Sequence, residues 1–323
     1  MAIKSKNDKL LLAVKVARLY YECNETQEQI SKKLKISRPQ VSRLLQTARE
    51  EGIVEIRINS AYNLHSNLER LLCENFGLKK AIVVPMSTNN LVEIKENLSK
   101  VTANYLDEII ADGVTIGIPW GSTLGYVADH LKERKLKNVK VVQLKGGVGK
   151  VSSKVNTYNP VINFAIKLNA TPYFLPVPSI VEKMEIKEIL LSDGKIKEIL
   201  DLAEESDIAI YPIGRPNPNS VLVEAGYFSQ EDMNRLKDEG AVGDICSRYF
   251  NYMGEIFDDD LNGRTIGIDL DKLKNKKYAI AVAGGKEYAE SILGALRGQY
   301  LNVLITDESA AKRVLKQAKI GYR

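Results

Sequence analysis

The chain has 323 residues, 44% hydrophobic and 27% charged, with a formal net charge of +5. Ordinary apolar content with modest Gly and Pro excludes a disordered or fibrous chain, and a length beyond ~250 residues points to about two domains. Residues 1–60 hold 12 Lys and Arg against 7 Asp and Glu, while residues 61–323 hold 34 of each, so a short basic unit suited to a polyanion precedes a long neutral one.

Leu10, Leu11, Val14, Ala17, Leu19 and Tyr20 form an apolar stripe that predicts a helix from about Asp8 to Cys23. Thr26 is placed to cap a second helix running to Leu34, and Ser37 a third, Arg38 to Glu51, with Pro39 in its first turn and Gly52 closing it. Ile53–Ile58 is mostly alternating and reads as a half-exposed strand. Two short helices joined by a tight turn and followed by a strand predict a winged helix-turn-helix over residues 1–58. Its third helix would bury Val41, Leu44, Leu45 and Ala48 and present Arg38, Gln40, Ser42 and Arg43 to DNA, with Gln27 and Ser37 beside them. Arg and Gln can pair bidentately with base edges, and Ser suits a phosphate oxygen.

Residues 59–77 read as a linker helix through Leu64, Leu68, Leu71, Leu72 and Phe76, able either to pair two chains or to pack on its own domain. Over 78–323, apolar runs at Ala81–Val84, Val114–Ile118, Val139–Leu144, Pro172–Leu175, Ile208–Ile213, Thr265–Ile268, Ala279–Ala283 and Val303–Ile305 alternate with amphipathic segments. That alternation predicts an α/β doubly wound, Rossmann-like domain, whose ligands bind at the carboxyl ends of the strands.

The strand-end loops are where chemistry is expected. Gly121-Ser122-Thr123 opens a helix with free N–H groups and hydroxyls, a natural anion site. Lys145-Gly146-Gly147-Val148-Gly149-Lys150 is not a nucleotide loop: Val151 stands where a P-loop needs Ser or Thr, and Ser152 stands where the dinucleotide pattern needs its third glycine. Lys145 reads instead as a cation for a ligand phosphate or, desolvated, as an amine able to form a Schiff base with a sugar aldehyde. Gly240–Asp244 reads as the end of a helical stretch, offering one carboxylate to sugar hydroxyls, and Gly284-Gly285-Lys286 as a second anion cradle. Three cysteines without metal or redox spacing fit a reducing cytoplasm. With only two histidines, His65 and His130, a zinc site has little to draw on, and no metal or cofactor is expected. No ~18-residue apolar run suggests a membrane span, and the N-terminal apolar stretch is too short for a signal peptide.

Taken together, Thr26-Gln27 with Ile36–Leu45 and Gly52–Val54, Trp120–Leu124, Gln143–Gly147, Gly240–Asp244, and Ala283–Gly285 with Asn302–Glu308 resemble the SorC-type sugar-binding transcriptional regulators of bacteria. The resemblance implies a homo-oligomer, usually a tetramer, that binds operator DNA. It also implies a C-terminal domain similar in fold to sugar-phosphate isomerases, acting as a sensor of a phosphorylated sugar. It assigns effector contacts to Ser122, Thr123, Lys145, Asp244 and Asn156. Where the family commonly has a lysine after its late glycine pair, this chain has Tyr288, leaving Lys286 as the substitute. Lysine at 145 looks like the deoxyribonucleoside-regulator branch, whose effector is deoxyribose 5-phosphate. An isomerase or aldolase with a DNA-binding extension is the alternative, weakened because no loop but that of Asp244 offers a base beside Lys145.

Overall fold

The computed structural model describes residues 6–54, 61–148 and 159–321. The chain divides into two compact units, residues 1–60 and 61–323. In the first, α1 (Lys6–Ala17) passes into a π-helical turn (Arg18–Glu22), followed by α2 (Gln27–Leu34) and α3 (Arg38–Glu50). The expected single helix to Cys23 therefore changes pitch at Arg18. Reciprocal capping fixes the starts of the next two. Thr26 and Gln29 exchange backbone and side-chain hydrogen bonds, as do Ser37 and Gln40. The three helices bury Ala13, Val16, Ile30, Val41, Leu44, Leu45 and Ala48. Of the expected strand Ile53–Ile58, residues 55–58 lie outside the described residues; Val54 folds back, its N–H donating to Ala48 O at 3.0 Å.

The second unit runs α4 (Ala61–Phe76), β1 (Lys80–Val84), α5 (Leu91–Ile109), β2 (Thr115–Ile118), α6 (Ser122–His130), β3 (Lys140–Gln143), α7 (Asn159–Leu168), β4 (Thr171–Tyr173), α8 (Met184–Leu191), α9 (Gly194–Glu204) and β5 (Ile208–Pro212). It continues with α10 (Val221–Glu224), α11 (Gln230–Asp238), β6 (Ala241–Ile245), β7 (Arg248–Asn251), α12 (Asp259–Arg264), α13 (Leu270–Leu273), β8 (Tyr278–Val282), α14 (Ala289–Arg297), β9 (Val303–Asp307) and α15 (Glu308–Gln317). Seven parallel strands form one sheet in the order β1-β9-β8-β5-β2-β3-β4, while β6 and β7 form a separate antiparallel hairpin. Strands buried on both faces need helices above and below. Leu98, Leu106, Leu124 and Phe164 of α5–α7 cover one face. Leu72, Ala203, Leu293 and Leu315 of α4, α9, α14 and α15 cover the other. The strand order reverses between β2 and β5, so their carboxyl ends border the crevice such sheets use for ligands.

Two sequence expectations change. Thr265–Ile268 is no sheet strand; it makes single bridges, Thr265 to Ile180 and Gly267 to Lys145. Its carbonyls at Thr265, Gly267 and Ile268 accept from the Arg248 guanidinium, leaving no regular ladder to extend. Residues 241–244, read as a helix end, form β6; the left-handed Gly240, φ +114°, separates that strand from α11.

The helix expected as a linker packs on its own sheet. Leu68 and Leu72 are fully buried in the core beside Ala81 and Val83. Glu69 accepts from Val83 N–H at 2.8 Å, and His65 Nε2 lies 3.1 Å from Glu308 at the start of α15. Leu72→Ala should therefore destabilise the 61–323 unit by about 2–5 kcal/mol in urea unfolding, whereas a free linker would show almost no change.

Candidate functional site

The candidate site is built around Lys145, a buried residue two positions beyond β3. Its backbone is held on both sides, with Gly146 N–H donating to Ile266 O at 3.0 Å and Ile268 N–H to Leu144 O at 2.8 Å. The glycines that follow permit close approach: a Cβ on Gly146 would lie 2.3 Å from Pro178 O. Gly147 N–H donates to Val177 O, so both N–H groups are engaged and neither faces a ligand. Trp120 Nε1 (2.7 Å) and Ser179 Oγ (2.5 Å) both donate to Gly146 O, which brings the indole under the lysine; Lys145 Nζ sits 3.8 Å from the Trp120 ring centroid.

The β6–β7 hairpin closes the other side. Cys246 and Ser247 form its two-residue turn, both with positive φ (+54° and +67°). That turn places Ser247 Oγ 3.3 Å from Lys145 Nζ and lets Ser247 N–H donate to Asp244 Oδ2 at 3.3 Å. Asp244 pairs through its backbone with Gly214 beyond β5 (2.8 and 3.2 Å), where a Cβ would strike Oδ1 at 2.0 Å. A buried arginine locks the arrangement. Arg248, 2% exposed, donates to Ile268 O, Asn262 O and Oδ1, and Gly267 O, and pairs with Asp269 at 2.6 Å. The hairpin turn and the 262–269 segment, which touch Lys145 from opposite sides, are thus tied to one side chain.

Desolvation governs the electrostatics here. Burial pulls the Lys145 amine below the ordinary lysine value, partly opposed by Cys246 and Asp244. Burial likewise raises the Asp244 carboxyl, opposed by Lys145 and the Ser247 N–H, and pushes the Cys246 thiol up to about 12. The cysteine is thus an inert thiol, while Lys145 is a desolvated amine with hydroxyl, indole and carboxyl neighbours. Among the described residues no ion pair within 4 Å reaches it, and no cluster of His, Cys, Asp and Glu could hold a metal ion.

At the end of β2, Gly121 (φ +140°) precedes α6 without a side-chain cap, so the first N–H groups of that helix are open. Ser122 is exposed at its first position, and Thr123 is buried. Lys95 of α5 donates to Ser122 Oγ at 3.1 Å, with its pKa lowered by burial.

A sugar-binding domain family model, Sugar-bind, matches residues 60–316. The deoxyribonucleoside regulator of Bacillus subtilis (strain 168) is 39% identical over 310 residues, covering 95% of this chain and 98% of that protein. The chain belongs to the sugar-binding family of SorC-type regulators. The crystal structure of the full-length sorbitol operon regulator SorC from Klebsiella pneumoniae superposes with a TM-score of 0.74 at 33% identity, covering 95% of this chain and 99% of that one. A DeoR family transcriptional regulator from Listeria monocytogenes gives 0.71 at 30% identity, covering 78% and 99%. These SorC-type relatives are transcriptional regulators, not enzymes, which removes the isomerase or aldolase alternative.

Within this SorC-type domain the structure brings Lys145, Gly146, Asp244, Trp120 and Ser247 together, and joins Ser122 to Lys95. Asn156 lies outside the described residues. Lys286 is exposed on a three-residue 3-10 turn, and beside it Gly285 N–H donates to the buried carboxylate of Asp307 at 2.5 Å. Sequence reasoning missed Lys95, Ser247 and Arg248. Only the last two had a local signal, their closeness to Asp244. Arg248→Met should cost about 3 kcal/mol in denaturant unfolding, because several carbonyls lose a charged donor at once.

Proposed function

We propose that this chain is a transcriptional repressor whose operator binding is controlled by a phosphorylated sugar, and that the effector is deoxyribose 5-phosphate. The observation that supports this most is the desolvated Lys145 amine just beyond β3, the strand next to the switch point, beside a carboxyl and a hydroxyl. The open-chain sugar presents an aldehyde there. The neutral amine adds to its carbon, the carbinolamine loses water, and an imine links Nζ to C1, with Asp244 placed for hydroxyls or for the departing proton. Ser122, Thr123 and Lys95 would hold the phosphate at the α6 N-terminus.

Residues 1–58 act in this reading as the winged helix-turn-helix. Arg38, Gln40, Ser42 and Arg43 are all exposed on α3, and Ser37 is exposed at its cap. Lys32 and Lys33 are occupied by Glu28 and Glu25, whereas Arg38 and Arg43 make no ion pair among the described residues. Gln40 gives its amide oxygen to the Ser37 cap, so its Nε2 is what remains for a base. A tetramer would carry several such heads, and effector binding would shift the equilibrium between head spacings by its unequal affinity for the two states.

Operator binding by the full chain at fixed salt should weaken with deoxyribose 5-phosphate; unchanged binding across a panel of pentose and hexose phosphates would refute the sensor. Borohydride trapping should add the sugar's mass to wild type but not to Lys145→Ala. Trapping should fall as pH drops through the lowered Lys145 pKa. Because the Asp244 charge raises that pKa, Asp244→Asn should move the midpoint to lower pH. On DNA, Arg43→Ala should cost about 1–3 kcal/mol and relax specificity at one base pair, as measured by competition between operator variants.

A further inference from the structure

Arg215 lies three residues past β5, directly after Gly214, whose backbone pairs with Asp244. Its side chain is half-buried, and its guanidinium carbon lies 5.3 Å from the centroid of the Tyr288 ring. Nε is shielded from solvent yet has no hydrogen-bond partner, and no carboxylate lies within ion-pair distance among the described residues. A guanidinium that is partly desolvated, always charged and unpaired is an unfavourable thing to keep unless an anion completes it. Its planar fork matches the oxygens of a phosphate, and a tyrosine face can hold that fork in one plane.

The surroundings place the arginine at the same carboxyl end of the sheet as the Lys145 site, one residue from the Gly214–Asp244 pairing. β5 lies between β2 and β8 in the sheet, so the loop of Arg215 is flanked by the Ser122 loop and the Gly284–Gly285 turn. Helix α5 spans those two neighbours. Leu91 and Ile94 close on the glycine turn, while Lys95 reaches Ser122. On the β8 side Asp307 already takes the Gly285 N–H. Lys286 is exposed there, whereas Arg215 is half-buried against the Tyr288 ring.

We propose that Arg215, aimed by the Tyr288 ring, is a specificity-determining contact that grips the phosphate oxygens of the effector from the β5 end, while Ser122 and Lys95 approach from the β2 end. This rests on the sugar-phosphate reading above and adds a residue and a platform to it.

The test is calorimetric titration of the full-length protein with deoxyribose 5-phosphate and, separately, with unphosphorylated deoxyribose, each also followed by borohydride trapping. Arg215→Gln should weaken the phosphate ester about 10- to 100-fold and leave binding and trapping of the free sugar unchanged. Arg215→Lys should recover part of the loss, and Tyr288→Leu should weaken the ester in the same direction but less. Wild-type affinity for the ester in Arg215→Gln would overturn the proposal, as would equal losses for ester and free sugar, the result a purely structural arginine would give. A wild-type protein that binds neither ligand would overturn the effector reading itself, and this inference with it.

Discussion

The guanidinium of Arg248 is the constraint on which the crevice depends. A charge buried this deeply is tolerable only when its donors find acceptors, and here they find the carbonyls of one irregular segment and the Asp269 carboxylate. Burial pulls its pKa down and Asp269 opposes this. Because the arginine opens β7, its bonds fix the hairpin turn that precedes it. Because its acceptors bracket Gly267, they fix the strip against which the Lys145 backbone lies. One side chain therefore sets the position of Lys145 from two directions.

That rigidity explains how a lysine can be kept desolvated. Trp120 excludes water from one side of the amine, Ser247 offers a hydroxyl, and Asp244 stands near without forming a close ion pair. Had Asp244 closed on Nζ, the charged amine would be favoured and its nucleophilicity lost. The Asp244–Gly214 backbone pairing holds the carboxylate back. Glycine at 214 is the condition for this, since any side chain there would occupy the space of the carboxylate. Low dielectric strengthens every interaction in such a place, so small displacements change the balance between neutral and charged forms.

Much of the fold was legible because parallel strands buried on both faces read as short apolar runs, and helices between them as amphipathic stretches. Lys145, Ser122 and Asp244 stood out as candidates for a related reason, standing at strand ends or beside glycines. The hairpin was not, because Gly240 and Gly243 disguise a strand, and the turn at Cys246-Ser247 adopts positive φ without glycine or asparagine to announce it. Thr265–Ile268 misled in the opposite way: its composition is that of a strand, but its carbonyls belong to Arg248. Lys95 carried no signal at all. On α5 it is one more polar residue of an amphipathic helix, and only the packing of α5 across the carboxyl end of the sheet gives it an address.

The docking of α4 brings it into contact with the same strand end that closes the glycine turn. The Gly284–Gly285 turn at the rim of the crevice donates to Asp307, the residue that also caps α15. The next residue, Glu308, meets His65, in the second turn of the helix that begins where the 1–60 unit ends. Two hydrogen bonds and one peptide unit thus separate the Gly284–Gly285 turn from His65 of α4. Asp307 ties the glycine turn, the start of α15 and, through the adjoining Glu308, the docked helix α4 into one set of contacts within the 61–323 unit.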